Sequence, residues 1–155
     1  ESAGMGEGKK WNELSNVKKS SSRSSATHAK IKEIMIAKIF ADKTKDEIKS
    51  YLSEKFEEFT NLQNIQREDK EEFKILFRKY LKENPPLDFL SRLEHKRWCN
   101  SYYAMNFRYG EKKDENLKTH PCLIDDWEII IGEKFEICHP EYDLLSVFTL
   151  FKKEA

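Results

Sequence analysis

The sequence predicts a mainly α-helical domain with long ordered loops and little or no β structure. Its 155 residues include only five glycines and four prolines, the residues on which turn-rich folds depend most. The middle of the chain is dense in Lys, Glu, Ile, Leu and Phe, which favours helices over turn-rich β structure. Apolar residues recur there at helical spacing, so each predicted helix has one face that can pack against a core.

The helices can be placed in order along the chain. The first is expected over residues 24–40, after a serine-rich stretch. Thr44 and Glu47 have the spacing of a capping box and begin the second. The third starts near residue 68 and ends before Asn84, because Pro85 and Pro86 follow. The remaining predicted elements are a fourth helix from about residue 87, a charged loop over 109–120, an extended segment over 120–124, a brief helix over 127–134 that Gly132 breaks, and a last helix over 142–151.

Charge and hydropathy exclude several classes of protein. Twenty-eight Lys and Arg balance 28 Asp and Glu, whereas nonspecific binding to nucleic acid or to anionic membranes needs a basic excess. No apolar run approaches the roughly 18 residues that span a bilayer. We therefore expect no nucleic-acid partner and no direct membrane insertion by this segment. A cytoplasmic location is expected, either alone or as the cytosolic domain of a membrane protein.

Residues 1–8 resemble a tag or linker remnant and are set apart from a single domain over 9–155. The three cysteines, Cys99, Cys122 and Cys138, are odd in number and form no C-x-x-C pair. A disulfide framework is therefore not expected, and we predict reduced thiols.

Metal and catalytic sites find little support in the residue pattern. His95 and Cys99 are four apart on a predicted helix, and His120 and Cys122 add two more candidate zinc ligands. Structural zinc sites usually have tighter paired spacings, so hydrogen-bonded histidine and buried thiols are favoured. No glycine-rich elbow or phosphate loop accompanies these residues. We predict neither an enzyme nor a bound cofactor.

Aromatic and basic residues are concentrated in the later part of the chain. A planar base stacks on Trp or Tyr, and Arg or Lys binds phosphate, so this mixture suits a nucleotide or a similar anionic aromatic ligand. The alternative is that Trp98 lies on the apolar stripe of its helix and belongs to the core. The candidate residues of this group are His95, Arg97, Trp98, Arg108, Tyr109, Lys118 and His120.

Three motifs carry a resemblance to a known family. Residues 90–98 read L-S-R-L-E-H-K-R-W, residues 107–110 read F-R-Y-G, and after Asp114 residues 118–124 read K-T-H-P-C-L-I. In this order they resemble the RyR domain, a repeat first described in ryanodine receptors and found in many bacterial proteins. The family pattern is H-x-x-W, a turn of the type G-W-x-Y-G, an acidic residue, and a basic residue shortly before H-P-x-L-V.

The N-terminal part extends the resemblance to bacterial members. Trp11, Leu14, the S-S-R of residues 21–23 and His28 are similar to their W-x-x-L and S-N-R segments. Two stretches depart from the family: Asn106-Phe107 stands where Gly-Trp is usual, and residues 126–130 replace D-E-L-P. The ligand is therefore expected to differ from that of typical members. The domain divides into an N-terminal segment 9–40, a helical insert 41–84 and a core motif 85–155.

The resemblance implies a ligand-sensing module that binds a small nucleotide or NAD-derived signal, of the adenine nucleotide or ADP-ribose type. It also implies an effector domain or subunit that the module regulates. Trp98 would be the stacking platform and Tyr109 a second wall. His120 and Lys118 would make polar contacts, and Arg23 would bind phosphate. The alternative function is a protein interaction or oligomerisation module, in which the same aromatic residues pack against a partner.

Overall fold

Helices dominate the structure, which confirms the predicted mainly α fold. A computed structural model describes residues 10–152, with side chains as far as Thr149. It is 71% helix and 4% strand. The expected remnant at 1–8 lies outside the described residues. In chain order, the elements are a short 3-10 helix (Trp11–Glu13), α1 (Asn16–Ile39), α2 (Lys45–Gln66), α3 (Lys70–Glu83), α4 (Pro85–Tyr103), β1 (Arg108–Tyr109), β2 (Thr119–His120), α5 (Trp127–Ile131), α6 (Phe135–Cys138) and α7 (Glu141–Lys152).

Helix α1 begins at Asn16, well before the predicted start near residue 24. The Ser15 hydroxyl accepts a hydrogen bond from the Lys18 amide at 3.3 Å and caps the helix. The serine-rich stretch is therefore helical, although serine is a poor helix former. The reason is tertiary packing: Ser21 is buried, and α1 lies along α4.

The predicted starts of α2 and α3 are close to those observed. Thr44 and Glu47 form the capping box, with the Glu47 amide 3.2 Å from the Thr44 hydroxyl. The Asp69 carboxylate accepts from the Glu72 amide at 3.1 Å and begins α3. Both helices contribute aromatic rings to the main core, where Phe59 and Phe77 have ring centres 6.5 Å apart.

Helix α4 packs against both α1 and α7, so it organises the domain. It begins at Pro85, two residues before the predicted start, and proline is favoured at the first helical position because no hydrogen bond is lost there. Leu87 and Leu90 are buried in the main core. The Trp127 indole donates to the Asp88 carboxylate at 2.9 Å and holds α5 against the same helix.

The segment after β2 has the predicted break at Gly132. Helix α5 ends at Ile131, and Gly132 follows it. A Cβ at Gly132 would lie 2.8 Å from the Glu128 carbonyl oxygen, so this close turn requires glycine. Helix α6 then forms over four residues and ends at His139, whose φ of 49° is left-handed. The predicted extended segment over 120–124 shortens to a strand at Thr119–His120.

The prediction of three reduced thiols is wrong. Cys122, just after β2, and Cys138, at the end of α6, form a disulfide with their Cα atoms 5.5 Å apart. These residues are 16 positions apart in sequence, and it is the turn at α5 and α6 that brings them together. Cys99 on α4 remains a free, buried thiol.

Candidate functional site

Arg97 belongs to a buried ion network, which we define as Lys32, Glu94 and Arg97. The Arg97 guanidinium donates through Nε and Nη2 to Oε1 of Glu94, at 2.9 and 2.8 Å. Its Nη1 donates to the Ser24 hydroxyl of α1 at 3.3 Å. Lys32, also on α1, lies 2.6 Å from the second Glu94 oxygen. Arg97 is therefore turned toward α1.

The network keeps Glu94 ionised although it is only 4% exposed. Burial alone raises the pKa of the Glu94 carboxyl, but the nearby charges of Lys32 and Arg97 outweigh it and hold that pKa below its ordinary value. A buried carboxylate with two cationic partners joins α1 to α4 and leaves one positive charge in excess.

Arg23 is exposed on α1, and its guanidinium carbon lies 5.4 Å from the centre of the Trp11 ring. This is a cation–π arrangement within the N-terminal segment. Arg23 and Arg97 thus have different partners, although Arg97 reaches α1 at Ser24, the residue next to Arg23.

Trp98 lies at the centre of a second group on α4, which we call the ring cluster: Trp98, Tyr102, Phe107 and His120. The Trp98 ring centre is 4.5 Å from that of Tyr102 and 4.8 Å from that of His120. Tyr102 and Phe107 are buried, whereas Trp98 and His120 are partly exposed. The two exposed members are residues that the sequence pattern singled out, and they are in edge-to-face contact.

His120 is a neutral hydrogen-bond donor in this cluster. Its Nδ1 accepts from the Cys122 amide at 3.1 Å, so the ring hydrogen is on Nε2. Burial lowers the pKa of His120 to about 4, and the charge of Lys113 acts in the same direction. At neutral pH, His120 therefore offers an N–H group and carries no charge.

His95 is buried beside the ring cluster and shares a stacked contact with Trp98 at 5.9 Å. Its Nε2 lies 2.8 Å from the Ile124 carbonyl oxygen, which can only accept, so Nε2 carries the hydrogen. Burial lowers the pKa of His95, and it raises the pKa of the Cys99 thiol to about 12. The Cys99 sulfur is 3.4 Å from the same Nε2, which has no lone pair to take its proton. The pair supports the structural interpretation over nucleophilic catalysis.

Arg108, Tyr109 and Lys118 lie at the edge of the ring cluster. Strands β1 and β2 pair in parallel, with Tyr109 opposite His120 and Arg108 opposite Thr119. The Arg108 amide donates to the Lys118 carbonyl at 2.9 Å. All three predicted side chains are exposed. The ladder therefore holds Tyr109 beside His120 of the cluster, whereas Arg108, the preceding residue on the strand, points to the opposite face.

The loop between the strands is held by its own hydrogen bonds. Asp114 accepts from the backbone amides of Asn116 and Leu117 at 2.8 and 3.0 Å. Thr119 donates from its hydroxyl to the Lys112 carbonyl at 2.8 Å. A Cβ at Gly110 would lie 2.6 Å from the Thr119 Cβ, so glycine permits the close approach of the strands. These contacts hold the loop in one conformation between the two strands.

Sequence reasoning missed several residues around these groups. Tyr102 is one of them, although its position four residues after Trp98 places both rings on one face of the helix. Lys32 belongs to no motif, and Glu94 lies within the 90–98 motif without a predicted role. Asp143 on α7 lies 3.8 Å from Nδ1 of His95 through Oδ2. Burial, and next the charge of Glu94, raise the pKa of Asp143 well above its ordinary value. Only the folded arrangement of α1, α4 and α7 identifies these three.

Comparisons with protein-family models, with curated proteins and with solved structures give no match to this chain. Across residues 10–152, the His, Cys, Asp and Glu side chains form no group of three or more placed to hold a metal ion. Within the same part of the chain, no helix combines the length and apolarity needed to cross a membrane.

Proposed function

We propose that this chain is an RyR-like sensory domain that binds a small anionic aromatic ligand, of the adenine nucleotide or ADP-ribose type, beside the ring cluster. The observation that carries the proposal is the meeting of three features at one surface. These are a partly exposed Trp98, a neutral His120 donor, and an exposed Tyr109 on the short strand pair that also carries the cations Arg108 and Lys118. Each feature matches one part of a nucleotide.

The chemistry divides among these residues. Trp98 and Tyr109 offer aromatic faces for a base, since stacking on a ring is worth about 1–3 kcal/mol per base. The His120 Nε2 hydrogen suits a ring nitrogen or carbonyl acceptor. Arg108 and Lys118 lie on the exposed rim, where a phosphate stays partly solvated. Because Arg97 is committed to Glu94, the phosphate contacts come from the loop.

Binding without reaction is the second part of the proposal. Cys99 is buried with a raised pKa, and the His95 nitrogen beside it carries a hydrogen that it donates to a backbone carbonyl, so the pair forms no activated nucleophile. We infer that ligand occupancy is passed to an effector domain or subunit in the cytoplasm. The Cys122–Cys138 bridge argues against a cytoplasmic location, because the reducing cytoplasm keeps most thiols reduced. Thiol titration of protein taken from its native compartment tests this part.

The test is thermal stabilisation by ATP or ADP-ribose in the parent and in two Trp98 variants. Trp98→Ala should abolish the shift in Tm, and Trp98→Phe should keep part of it, because a smaller ring still stacks. Trp11→Ala is the matched control, since it removes an exposed tryptophan from the N-terminal segment. Ligand stabilises in proportion to its concentration over Kd. No shift in the parent with either nucleotide contradicts the proposal.

A protein-interaction role is the second candidate, and one observation favours it. Leu117, in the loop between β1 and β2, is 66% exposed, and Tyr109 on β1 is 46% exposed. Exposed apolar side chains of this kind are typical of contact surfaces where they form a patch. If the loop joins two copies of the chain, Leu117→Ser should shift sedimentation toward the monomer and leave nucleotide binding unchanged. Identical sedimentation of parent and variant counts against this candidate.

A further inference from the structure

A cleft of about 220 Å³ lies between α1 and α4, on the side of α4 that faces away from the ring cluster. Its wall is mainly apolar, and six side chains supply that character: Ile31, Met35, Ile36, Leu90, Leu93 and Val147. A concave apolar surface with a few polar groups is the usual form of a small-molecule site.

The ion network forms the polar part of this cleft. Lys32, Glu94 and Arg97 all line it, and Glu94 and Arg97 are 4% and 5% exposed. Two cations against one carboxylate leave an excess of one positive charge. Asp143 lies near these charges, and burial raises its pKa well above the ordinary value. A charge held among apolar walls favours an anion that can reach it.

Lys32 has the donor that such an anion needs. An ammonium group carries three N–H donors. The Ser146 hydroxyl accepts one at 2.9 Å, and Oε2 of Glu94 lies 2.6 Å from the ammonium as an ion pair. Among the described residues no further partner of Lys32 is found, which leaves a donor for a ligand. His28 and Lys96 also line the cleft and reinforce its preference for negative charge.

The volume limits the size of the ligand. An apolar cavity of about 150 Å³ admits benzene, so this cleft suits a body of about eight to ten carbon atoms. A dinucleotide or a nucleoside triphosphate is far larger. The cleft is therefore a different site from the surface beside the ring cluster, and it takes a different class of ligand.

We propose that the cleft between α1 and α4 binds a small monocarboxylate with a compact apolar body, its carboxylate at Lys32 and its apolar part against the helices. This inference does not depend on the proposed nucleotide site. Octanoate is the probe, with octanol as its uncharged analogue and octylamine as its cationic one. Calorimetry should find saturable binding of octanoate at one site, at least tenfold tighter than binding of either analogue.

Two substitutions on α1 make a matched pair. Ile31 and Ile34 are 49% and 55% exposed, but only Ile31 lines the cleft. Both can become Glu without burying a charge, and Glu is a good helix former. Ile31→Glu should weaken octanoate binding about tenfold or more, because it places a negative charge beside the carboxylate. Ile34→Glu should bind as the parent does.

Three results would overturn the inference. The first is no saturable octanoate binding in the parent. The second is equal affinity for octanoate, octanol and octylamine, which would indicate an apolar surface without charge selection. The third is an equal loss in Ile31→Glu and Ile34→Glu, which would indicate nonspecific binding along α1. ATP binding in the same variants is measured in parallel, so that failure of this site is distinguished from failure of the nucleotide site.

Discussion

Arg97 and Trp98 are neighbours on α4, but they lie in different environments on two sides of the helix. Arg97 faces α1, is 5% exposed, and has its donors occupied by Glu94 and Ser24. Trp98, the next residue, faces the loop and keeps part of its ring exposed. One side is a charged contact between helices, and the other is an aromatic surface with a polar rim.

The difference teaches that composition alone does not distinguish a binding residue from a packing residue. Consecutive residues on a helix point about 100° apart, so Arg97 and Trp98 must face different partners. On the α1 side, the serine-rich segment offers small side chains and a carbonyl that bring the helices close together. On the loop side, His120 and Tyr109 are held by a short ladder.

Of the changes that test this comparison, Arg97→Ala should lower the free energy of unfolding most. Removing one partner of a buried ion pair leaves a carboxylate poorly compensated, and such changes cost about 3–5 kcal/mol. We expect urea unfolding to register a loss of this size in the free energy of unfolding. Arg108→Ala, on the exposed rim, should change that free energy by no more than about 0.5 kcal/mol. If Arg97→Ala unfolds as the parent does yet loses nucleotide binding, Arg97 belongs to the ligand site instead.

Loss of the Cys122–Cys138 disulfide should have the next largest effect on the free energy of unfolding. The bridge tethers only the loop side of α4. Cys122 and Cys138 close a loop with a sequence separation of 16, and the chain-entropy model assigns about 3 kcal/mol to a loop of this size. The double variant Cys122→Ser with Cys138→Ser should lose that amount in urea unfolding. The parent in reductant should match the double variant, and a reductant effect that persists in the variant would contradict the assignment.

Much of the fold could be predicted because its helices are long and periodic. Thr44 and Glu47 predict the start of α2, because a capping box depends only on hydrogen bonds between neighbouring residues. The start of α1 could not be found in this way, since packing on α4 decides it against the propensity of serine. The Cys122–Cys138 bridge depends on Gly132 and the turn between α5 and α6. Such features come from contacts between distant residues.

The residues of the candidate site likewise fall into two groups: those that a motif predicts and those whose role depends on distant contacts. Trp98 and His120 were singled out by their motif, and the fold brings them into contact. The orientation of Arg97 could not be predicted, because its hydrogen-bond partners include Ser24, 73 positions away in sequence. Lys32 was missed for the same reason, since its role depends on Glu94 across the helix interface.

Gly110→Ala should have a smaller effect on the loop side. A Cβ at this position would lie 2.6 Å from the Thr119 Cβ. That atom is bonded directly to the backbone, so it cannot move aside by a side-chain rotation. Overpacking of this kind costs about 1–3 kcal/mol. Urea unfolding measures the loss, with Glu111→Ala at the adjacent exposed position as the control. Equal stability of the two variants would mean that the strands can separate freely, and the rim of the proposed site would then be less well defined.

A pH dependence of stability is also expected, and it belongs to His120. Its pKa is about 4 in the folded protein and about 6.5 when unfolded. The unfolded chain therefore binds more protons as pH falls from about 6.5 to about 4, and the folded state loses stability over that window. His95 acts in the same direction, whereas the raised pKa of Asp143 acts against it.

Comparison with a variant separates His120 from these other groups. His120→Asn removes the titrating ring, so the free energy of unfolding should fall less steeply below pH 6.5 than in the parent. His28→Asn removes a histidine from α1 and serves as the control. Unfolding curves at a series of pH values give the slopes directly. If His120→Asn and the parent have the same slope, His120 is not held neutral by the ring cluster, and it then offers a bound nucleotide a cation where we expect an uncharged donor.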